Sequence, residues 1–346
     1  MNQPSGNKSG IDVAVVGATG AVGEAMIELL EERKFPVRNL YLLASERSAG
    51  KTMRVLGATH QVSDLAQFDF SQVQLGLFSP GASVSAVYAP QAAQAGCYVV
   101  DNTSHFRMQE DIPLVVPEVN GEVLRNYAGR IIANPNCSTI QMLVALQPLH
   151  QAIGIERITV STYQAVSGAG TKGIEELAGQ TAALLNAREY PAKAFPQQIA
   201  FNAIPQIGDI LDNGYTVEEM KMAQETCKIF GDDDIEVNPT CVRIPAFYGH
   251  AEAVSLTLRA PLTVQDAQAL LTKAAGVKLM RDSNYPTPVA QGAGTDAVYV
   301  GRVRADLYDP CGINLWVVAD NVRKGAALNS VQIAEYLLQN GAISVG

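Results

Sequence analysis

The segment IDVAVVGATGAVG at residues 11–23 indicates the fold class of the first half of this 346-residue chain. Its apolar beginning is typical of a buried strand and runs straight into a turn with glycines at 17, 20 and 23. Residues 24–33 then place their apolar side chains at helical spacing. A strand, a glycine turn and a helix are the context of a dinucleotide-binding fingerprint. The spacing is GxxGxxG rather than GxGxxG, so a tight turn without a ligand stays an alternative.

The turn after the second predicted strand, residues 40–44, bears on the choice of cofactor. NAD-type sites usually place an acidic side chain there for the ribose 2′-hydroxyl. Here Arg47 lies between Ser45 and Ser48, with Lys51 nearby, which suits a 2′-phosphate and favours NADP. Glu46 argues the other way unless it points to solvent, and a solvated charged turn is the alternative.

Further strands are predicted at 73–78, 98–101 and 130–133, with a helix at 83–95. Loops at the carboxyl ends of parallel strands line a shared crevice, so Ser79, Gly81 and the loop 102–107 are expected there. Arg107 could hold a phosphate or carboxylate with two hydrogen bonds. A surface salt bridge is the alternative and the more common fate of an arginine.

The run NPNCST at 134–139 places Cys137 between a predicted strand and a predicted helix. Backbone N–H groups and the positive dipole end of a helix stabilise a thiolate at such a position. A thiolate is the nucleophilic form of cysteine. Cys137 is therefore a candidate nucleophile, although a small buried cysteine fits the local pattern equally well.

From about residue 155 the pattern changes to strands with one apolar side. Val254, Leu256 and Leu258 alternate with polar residues, and residues 313–317 repeat this pattern. Helices are predicted at 173–186 and 217–230, which makes this half α+β. A final capped helix at 329–340 is expected to fold back onto the first domain.

Three groups of residues in the second half could carry chemistry. The turn at 163–170 is rich in glycine and permits close approach of a ligand to the backbone. Glu218, Glu219 and Lys221 fall within one helical turn, where a solvated face is the more probable interpretation from spacing alone. Arg243 and His250 flank a loop, and we expect a semi-exposed His250 that serves as a general base or as a structural histidine.

Composition excludes several classes of protein. A net charge of −9 and a pI near 5.0 argue against nonspecific nucleic-acid binding, and the apolar runs are too short to span a bilayer. The five cysteines form no CxxC pair, so neither a disulfide framework nor a metal site is expected. Residues 1–10 are polar, predict a disordered lead and lack the apolar core of a secretory signal. A reducing cytoplasm fits best.

Nine ordered runs resemble aspartate-β-semialdehyde dehydrogenases over nearly the whole chain. They are GATGAVG at 17–23, ASERSAGK at 44–51, FSPGAS at 78–83, NTSHFR at 102–107, NPNCSTIQM at 134–142, TYQAVSGAG at 162–170, EEMK at 218–221, RIPAFYGHAE at 243–252 and DNVRKGAALNSVQIAE at 320–335. Acetylglutamyl-phosphate reductases share the fold but usually carry a glycine where Asn136 stands. Two positions depart from the commonest family pattern: Met220 stands where a tryptophan is frequent, and Glu46 lies inside the loop on the adenosine side.

The resemblance implies NADPH-dependent, reversible reduction of aspartyl-4-phosphate to aspartate-4-semialdehyde, in the pathway to lysine, threonine, methionine and diaminopimelate. It assigns Cys137 as nucleophile, His250 as acid/base and Gln164 as the residue that orients the intermediate. Arg243 and Glu218 would grip the substrate carboxylate and amine. The implied phosphate site consists of Arg107, Asn136 and Lys221. An acetylglutamyl-phosphate reductase and a non-catalytic NADP-binding homologue remain alternatives.

The resemblance also completes the domain organisation and the cofactor site. It implies a Rossmann-like NADP-binding domain at 11–135 completed by a helix at 325–346, a catalytic and dimerisation domain at 136–324, and a homodimer. The expected small-molecule partners are aspartyl phosphate, aspartate semialdehyde and phosphate. The expected cofactor-binding residues are Gly17, Thr19, Gly20, Ala21, Val22, Ser45, Arg47, Ser48, Ser79, Gly81, Ser167, Gly168 and Asn321.

Overall fold

The structure, a computed structural model, describes residues 9–345. Residues 1–8 of the predicted lead lie outside this range, whereas Gly10 is buried, and a Cβ added to it would lie 2.8 Å from the Pro36 carbonyl oxygen. The prediction that Gly10 belongs to a disordered lead is therefore wrong. The described residues form two compact units, 9–135 with 326–345, and 136–325. No helix within 9–345 has the length and apolar character to cross a membrane.

The first unit contains a seven-stranded sheet, and its strand order is β3-β4-β2-β1-β5-β6-β7. All neighbouring strands are parallel except the hairpin β3–β4, so the predicted Rossmann-like sheet is confirmed. The hairpin was not predicted from sequence. The elements, numbered in chain order, are β1 Ile11–Val16, α1 Ala21–Glu32, β2 Val37–Ala44, β3 Thr52–Val55, β4 Ala58–Asp64, β5 Leu75–Phe78, α2 Ala82–Gln94, β6 Tyr98–Asp101, α3 Pro117–Asn120, β7 Ile131–Ala133 and α8 Leu328–Gln339.

Helix α8 belongs to the first unit and packs against α1 and α3. The prediction of a capped start at Asn329 is wrong. A π-helical turn at Arg323–Ala327 runs directly into α8, so the helix begins without a side-chain cap. Asn329 lies inside the helix and is buried, and its amide donates to Val115 O and to Asn134 Oδ1.

The second unit contains a mixed six-stranded sheet with the order β11-β12-β13-β10-β8-β9. The pairs β12–β13, β13–β10 and β10–β8 are antiparallel, whereas both edge pairs, β11–β12 and β8–β9, are parallel. The predicted α+β character is confirmed. The elements are α4 Cys137–Ile153, β8 Ile155–Gln164, α5 Thr171–Leu185, α6 Val217–Phe230, β9 Glu236–Arg243, β10 His250–Leu258, α7 Val264–Lys273, β11 Val277–Leu279, β12 Val298–Ala305 and β13 Gly312–Ala319.

The sheet of the second unit has two unlike sides. On β10 the side chains of Val254, Leu256 and Leu258 are buried, while Ser255 and Thr257, on the other side, are half-buried. Helix α4 packs on β10, β12 and β13, and α6 packs on β9. Every second residue of a strand faces the same side of the sheet, so the side that carries Val254, Leu256 and Leu258 packs into the core of the unit.

Candidate functional site

A cavity of about 580 Å³ lies at the carboxyl ends of β1, β2 and β5 in the first unit. Six predicted cofactor residues line it: Gly17, Thr19, Gly20, Ser45, Arg47 and Ser79. Of the other four predicted in this unit, Ala21 and Val22 begin α1, Ser48 follows Arg47 in a short 3₁₀ turn, and Gly81 precedes α2. The lining also includes Ala44, Glu46, Asp64, Leu65, Ala66, Pro80, Val84 and Tyr88.

The glycine turn is built for close approach of the backbone. Gly17 has φ 84°, and a Cβ there would lie 2.6 Å from the Ser79 carbonyl oxygen. Gly20 is the N-cap of α1, and no side chain caps that helix start. The start of α1 therefore offers the backbone N–H groups and the dipole that bind a pyrophosphate. These residues fit a dinucleotide.

Arg107 is buried in the first unit, which contradicts the surface salt-bridge alternative. Its Nε donates to Thr103 O at 3.1 Å and its Nη2 donates to Asn102 O at 3.0 Å. Thr103 is in turn held by Asp101, whose carboxylate accepts from the Thr103 N–H and hydroxyl. Backbone carbonyls thus fix the direction of the guanidinium within the loop after β6.

Strand register in the second unit places three of the predicted site residues, Gln164, Arg243 and His250, in one row. Gln164 and Arg243 are direct partners in the pair β8–β9. Because Ala251 pairs with Tyr163, His250 lies beside Gln164 on the same side of the sheet. The row behind consists of Cys241, Thr162 and Glu252, and the Thr162 hydroxyl donates to Gln164 Oε1 at 3.2 Å.

Cys137 is the first residue of α4 and is half-buried. The preceding residue, Asn136, is the N-cap, and its Oδ1 accepts from the N–H groups of Ser138 at 3.0 Å and Thr139 at 3.3 Å. The predicted strand-to-helix junction is confirmed by β7 and α4. Asn136 therefore has a structural role in addition to its place in the predicted phosphate site.

Glu218 connects three of the predicted site residues. Its Oε1 accepts from Asn136 Nδ2 at 2.8 Å and from Gln164 Nε2 at 3.1 Å, and its Oε2 accepts from Lys221 Nζ at 3.2 Å. Burial alone would raise the pKa of Glu218, but Lys221 and these hydrogen bonds outweigh it, and the pKa lies below its usual range. The interpretation of a solvated helix face is wrong, because Glu218 and Glu219 are both buried.

His250 is completely buried, so the predicted semi-exposed position is wrong. The Ala165 N–H donates to its Nδ1 at 3.0 Å, while Nε2 is buried with no partner among residues 9–345. Burial and then the charge of Arg243 lower the pKa of His250 to about 3, against the opposing effect of Glu218. The imidazole of this structure is thus neutral at pH 7.

Arg243 and His250 both border Gly168, at the end of the glycine-rich turn. A Cβ on Gly168 would lie 2.8 Å from Arg243 Nη1 and 3.4 Å from His250 Nε2. The other Arg243 contacts include Ala165 O, which accepts from Nη1 at 2.7 Å. Burial lowers the pKa of Arg243, and Glu218 and Cys137 oppose this effect. A side chain at position 168 would clash with Arg243, so a glycine permits the close packing of this turn against both side chains.

Ser167 and Asn321, two further predicted cofactor residues, lie together in the second unit. The Asn321 amide donates to Ser167 Oγ at 3.0 Å, and its Oδ1 accepts from the Gly249 N–H at 3.0 Å. This contact ties the turn after β8 to the residue before His250. No group of three or more metal-ligating side chains occurs among the residues that the structure describes.

Sequence reasoning missed two residues that touch the start of α4. Glu225 Oε2 accepts from the Asn136 N–H at 2.6 Å, and Gly325 lies against Cys137. Glu225 stands seven residues after Glu218, so the helical repeat was a signal that could have placed both on one side of α6. Gly325 lay within a quoted family run, but nothing in its local pattern points to the cysteine.

Two family models cover most of the chain. Residues 12–127 match the NAD binding domain of semialdehyde dehydrogenases, and residues 146–324 match their dimerisation domain. Aspartate-semialdehyde dehydrogenase 2 of Vibrio cholerae is 61% identical over 95% of this chain and 98% of its own length. The chain belongs to the aspartate-semialdehyde dehydrogenase family. This membership confirms the predicted family and the predicted kind of enzyme.

Other relatives extend the comparison. Aspartate-semialdehyde dehydrogenase of Bacillus subtilis is 51% identical over 95% of this chain and 97% of its own length. The crystal structure of aspartate semialdehyde dehydrogenase II from Vibrio cholerae complexed with ASA is 60% identical, covers 95% of this chain and 98% of its own, and has a TM-score of 0.94. A Candida albicans relative with NADP is 26% identical, covers 97% of this chain and 100% of its own, and has a TM-score of 0.77.

Proposed function

We propose that the protein reduces L-aspartyl-4-phosphate to L-aspartate-4-semialdehyde, reversibly, through a thioester on Cys137. The observation that carries this proposal is the half-buried cysteine at the start of α4 in the same unit as the buried row Arg243, Gln164 and His250. A non-catalytic homologue has no use for such a row. Family membership supports the aspartyl substrate over the acetylglutamyl alternative.

The first covalent step forms the bond between Cys137 Sγ and the substrate carbonyl carbon. The bond between the carbonyl carbon and the oxygen that bridges to phosphorus then breaks, and phosphate leaves with the bonding electron pair. The backbone N–H groups and dipole at the start of α4 stabilise the attacking thiolate. After reduction of the thioester, the carbon–sulfur bond breaks, sulfur retains the electron pair and the aldehyde is released.

Gln164 is assigned to orient the intermediate. Its amide nitrogen is fixed by Glu218 Oε1 and its amide oxygen by the Thr162 hydroxyl, so the plane of the amide is set before substrate binds. The N–H of Cys137 is the assigned donor to the oxyanion of the tetrahedral intermediate. Both groups belong to rigid elements, which supports a preorganised site.

His250 is assigned to exchange protons through Nε2. Its Nδ1 accepts the Ala165 N–H, and for a neutral imidazole this bond favours the tautomer with the proton on Nε2. That Nε2–H can donate to the developing oxyanion or to the departing group. The other half of the predicted role of His250 is removal of the thiol proton. That step requires the other neutral tautomer, with the proton on Nδ1 and Nε2 free to accept.

Charged groups are assigned to the ends of the substrate. Arg243 places its guanidinium beside Gly168 and would hold the carboxylate in two hydrogen bonds. Glu218 would attract the substrate amine, although it already accepts from three side chains. Lys221 and Asn136 contact Glu218. These two residues and Arg107 are assigned to the phosphate from the resemblance alone.

The proposed cofactor is NADP, held by the glycine turn and the cavity of the first unit. Arg47 lines that cavity and supports binding of the 2′-phosphate, as does the NADP in the Candida albicans relative. Bound NADPH supplies the hydride that reduces the thioester. Ser167, Gly168 and Asn321 are assigned to the same cofactor from the resemblance alone.

We also propose a homodimer that uses the half-buried side of the second sheet. The matched dimerisation domain supports this proposal, as do the paired rings of Tyr163 and Trp316 on that side. A cavity of about 410 Å³ beside Trp316 includes Tyr285, an exposed aromatic side chain.

The five cysteines form no disulfide, which supports a reducing, cytoplasmic location.

A turnover assay tests the proposed reaction. Aspartate semialdehyde, phosphate and NADP⁺ should yield NADPH, measured by absorbance, while N-acetylglutamate semialdehyde should give a much lower rate. Cys137→Ala should abolish turnover and still bind NADPH, which fluorescence titration measures. Turnover by Cys137→Ala would refute the thioester, and NADPH binding without turnover of either aldehyde by the wild-type chain would favour the non-catalytic homologue.

A further inference from the structure

Glu225 is a buried carboxylate that the mechanism above does not use. It lies on α6, is 1% exposed, and its Oε2 accepts from the Asn136 N–H at 2.6 Å. Asn136 is the residue immediately before the nucleophile. A charged acceptor makes a backbone hydrogen bond shorter and stronger than a neutral one, so this contact holds the chain firmly at the helix start.

The N–H groups at the start of α4 show what this bond contributes. Four backbone N–H groups at a helix start have no partner within the helix. Here Glu225 takes that of Asn136, and Asn136 Oδ1 takes those of Ser138 and Thr139. The fourth belongs to Cys137, the assigned oxyanion donor. The backbone N–H groups before and after that of Cys137 are thus fixed, that of Asn136 by Glu225 and that of Ser138 by Asn136 Oδ1.

Helix α6 holds Asn136 at two points. Glu218 accepts from its side-chain amide and Glu225 from its backbone N–H, and the two carboxylates are seven residues, or about two turns, apart on one side of α6. The helix is itself anchored, because the Thr216–Glu219 capping box fixes its start and Glu219 Oε1 accepts from the Cys241 N–H of β9 at 2.9 Å. A continuous set of bonds therefore connects β9, α6 and Asn136.

We propose that Glu225 is a positioning residue for Cys137 and acts through the Asn136 N–H. The two bonds to Asn136 set the backbone direction into α4 and with it the direction of the Cys137 side chain. Loss of the backbone bond leaves a buried N–H without its acceptor and frees the turn before Cys137 to relax. A displacement of about 1 Å at a reacting group lowers a rate by about 10²-fold.

Two substitutions separate positioning from folding. Glu225→Gln keeps an oxygen that accepts the Asn136 N–H, whereas Glu225→Ala removes the acceptor. We expect Glu225→Ala to lower kcat at least ~10-fold with KM for aspartate semialdehyde changed less than ~3-fold, because a nucleophile out of place affects the reaction more than binding. Glu225→Gln should stay within ~3-fold of wild type in kcat.

The rate at which iodoacetamide alkylates Cys137, followed against pH, tests the same idea without turnover. This inference rests on the proposed function for its kcat prediction only, so the alkylation arm still tests positioning if the chain does not turn over aspartate semialdehyde. The other four cysteines are replaced by serine in every variant to isolate Cys137. Glu225→Ala should change the rate or its pH midpoint, and Glu225→Gln should restore the rate.

Glu176→Ala is the matched control, because Glu176 is a buried carboxylate of α5 that accepts from the backbone N–H groups of Lys193 and Ala194. It should lower the melting temperature without changing alkylation of Cys137. The proposal is overturned if Cys137 is alkylated at the wild-type rate in Glu225→Ala, or if Glu176→Ala and Glu225→Ala change the alkylation rate equally in proportion to their lost stability.

Discussion

Gly325 lies directly against Cys137. A Cβ added to Gly325 would lie 2.7 Å from the Cβ of Cys137 and 3.1 Å from its Cα. The neighbour is therefore the rigid start of a helix and not the end of a flexible side chain. Gly325 belongs to the π-helical turn Arg323–Ala327, which brings its backbone close to the cysteine. Only a glycine permits this approach without displacing Cys137.

Gly325→Ala is expected to lower kcat by at least ~10-fold, because the new methyl group must displace Cys137. Steady-state kinetics of semialdehyde oxidation measure the loss. Gly121→Ala is the matched control, since a Cβ there meets a side-chain ring atom of Tyr336 at 3.0 Å, away from the cysteine. Equal kcat values for the two variants would contradict the prediction.

Arg47→Ala is expected to weaken binding of NADPH by at least ~10-fold and binding of NADH by less than ~3-fold. The guanidinium lines the cavity of the first unit, and a 2′-phosphate is the group of NADPH that it could hold with charge-assisted hydrogen bonds. Fluorescence titration with both cofactors gives the two dissociation constants. Arg54→Ala, an exposed arginine of β3 outside that lining, should change neither.

Local sequence patterns correctly predict those elements whose whole pattern lies within one continuous segment. The glycine turn at 17–23, the one-sided alternation of β10 and the helix α6 all appear where the pattern predicted them. These three predictions depend on residues close together in the sequence, where spacing alone fixes which side chains share a face. Six of the predicted cofactor residues line one cavity for a different reason, because the carboxyl ends of parallel strands meet at one edge of a sheet.

Properties that depend on distant segments were not accessible in this way. His250 follows a glycine and begins a strand, which suggested partial exposure, but its strand lies inside the sheet between β8 and β13. The polar side of α6 looked solvated because the sequence does not reveal that Asn136 and Gln164 donate to Glu218. Asn329 resembled a helix cap because the preceding π-helical turn has no pattern of its own.

Trp316→Glu is expected to dissociate the proposed homodimer, because a buried charge without a partner in an interface costs several kcal/mol. Trp316 is half-buried and contacts Tyr163. It lines the cavity of about 410 Å³ on the half-buried side of the second sheet. Sedimentation velocity measures the association state. Leu307→Glu, at a position that is 87% exposed, is the control and should remain associated. A dimeric Trp316→Glu protein would place the interface elsewhere.

Glu252 gives the chain a pH dependence of stability that one substitution should remove. It is fully buried in the row behind Gln164, beside Gln141, and burial raises the pKa of Glu252 well above its usual value. The folded chain therefore keeps this proton at pH values where the unfolded chain has lost it. The contribution of Glu252 to the free energy of unfolding is fully present below pH ~4.5. It declines as the pH rises towards the pKa of Glu252 in the folded chain, by at most about 1.4 kcal/mol per pH unit.

Glu252→Gln keeps a neutral polar side chain of the same shape, so the variant should lack this decline. The free energy of unfolding of the variant minus that of wild type is expected to increase from pH 5 to pH 8, measured by urea denaturation at several pH values. Glu110→Gln, at an exposed position, provides the comparison for a carboxylate in solvent. A difference for Glu252→Gln that stays constant over this range would show that Glu252 ionises equally in the folded and unfolded chains, against the effect of its burial.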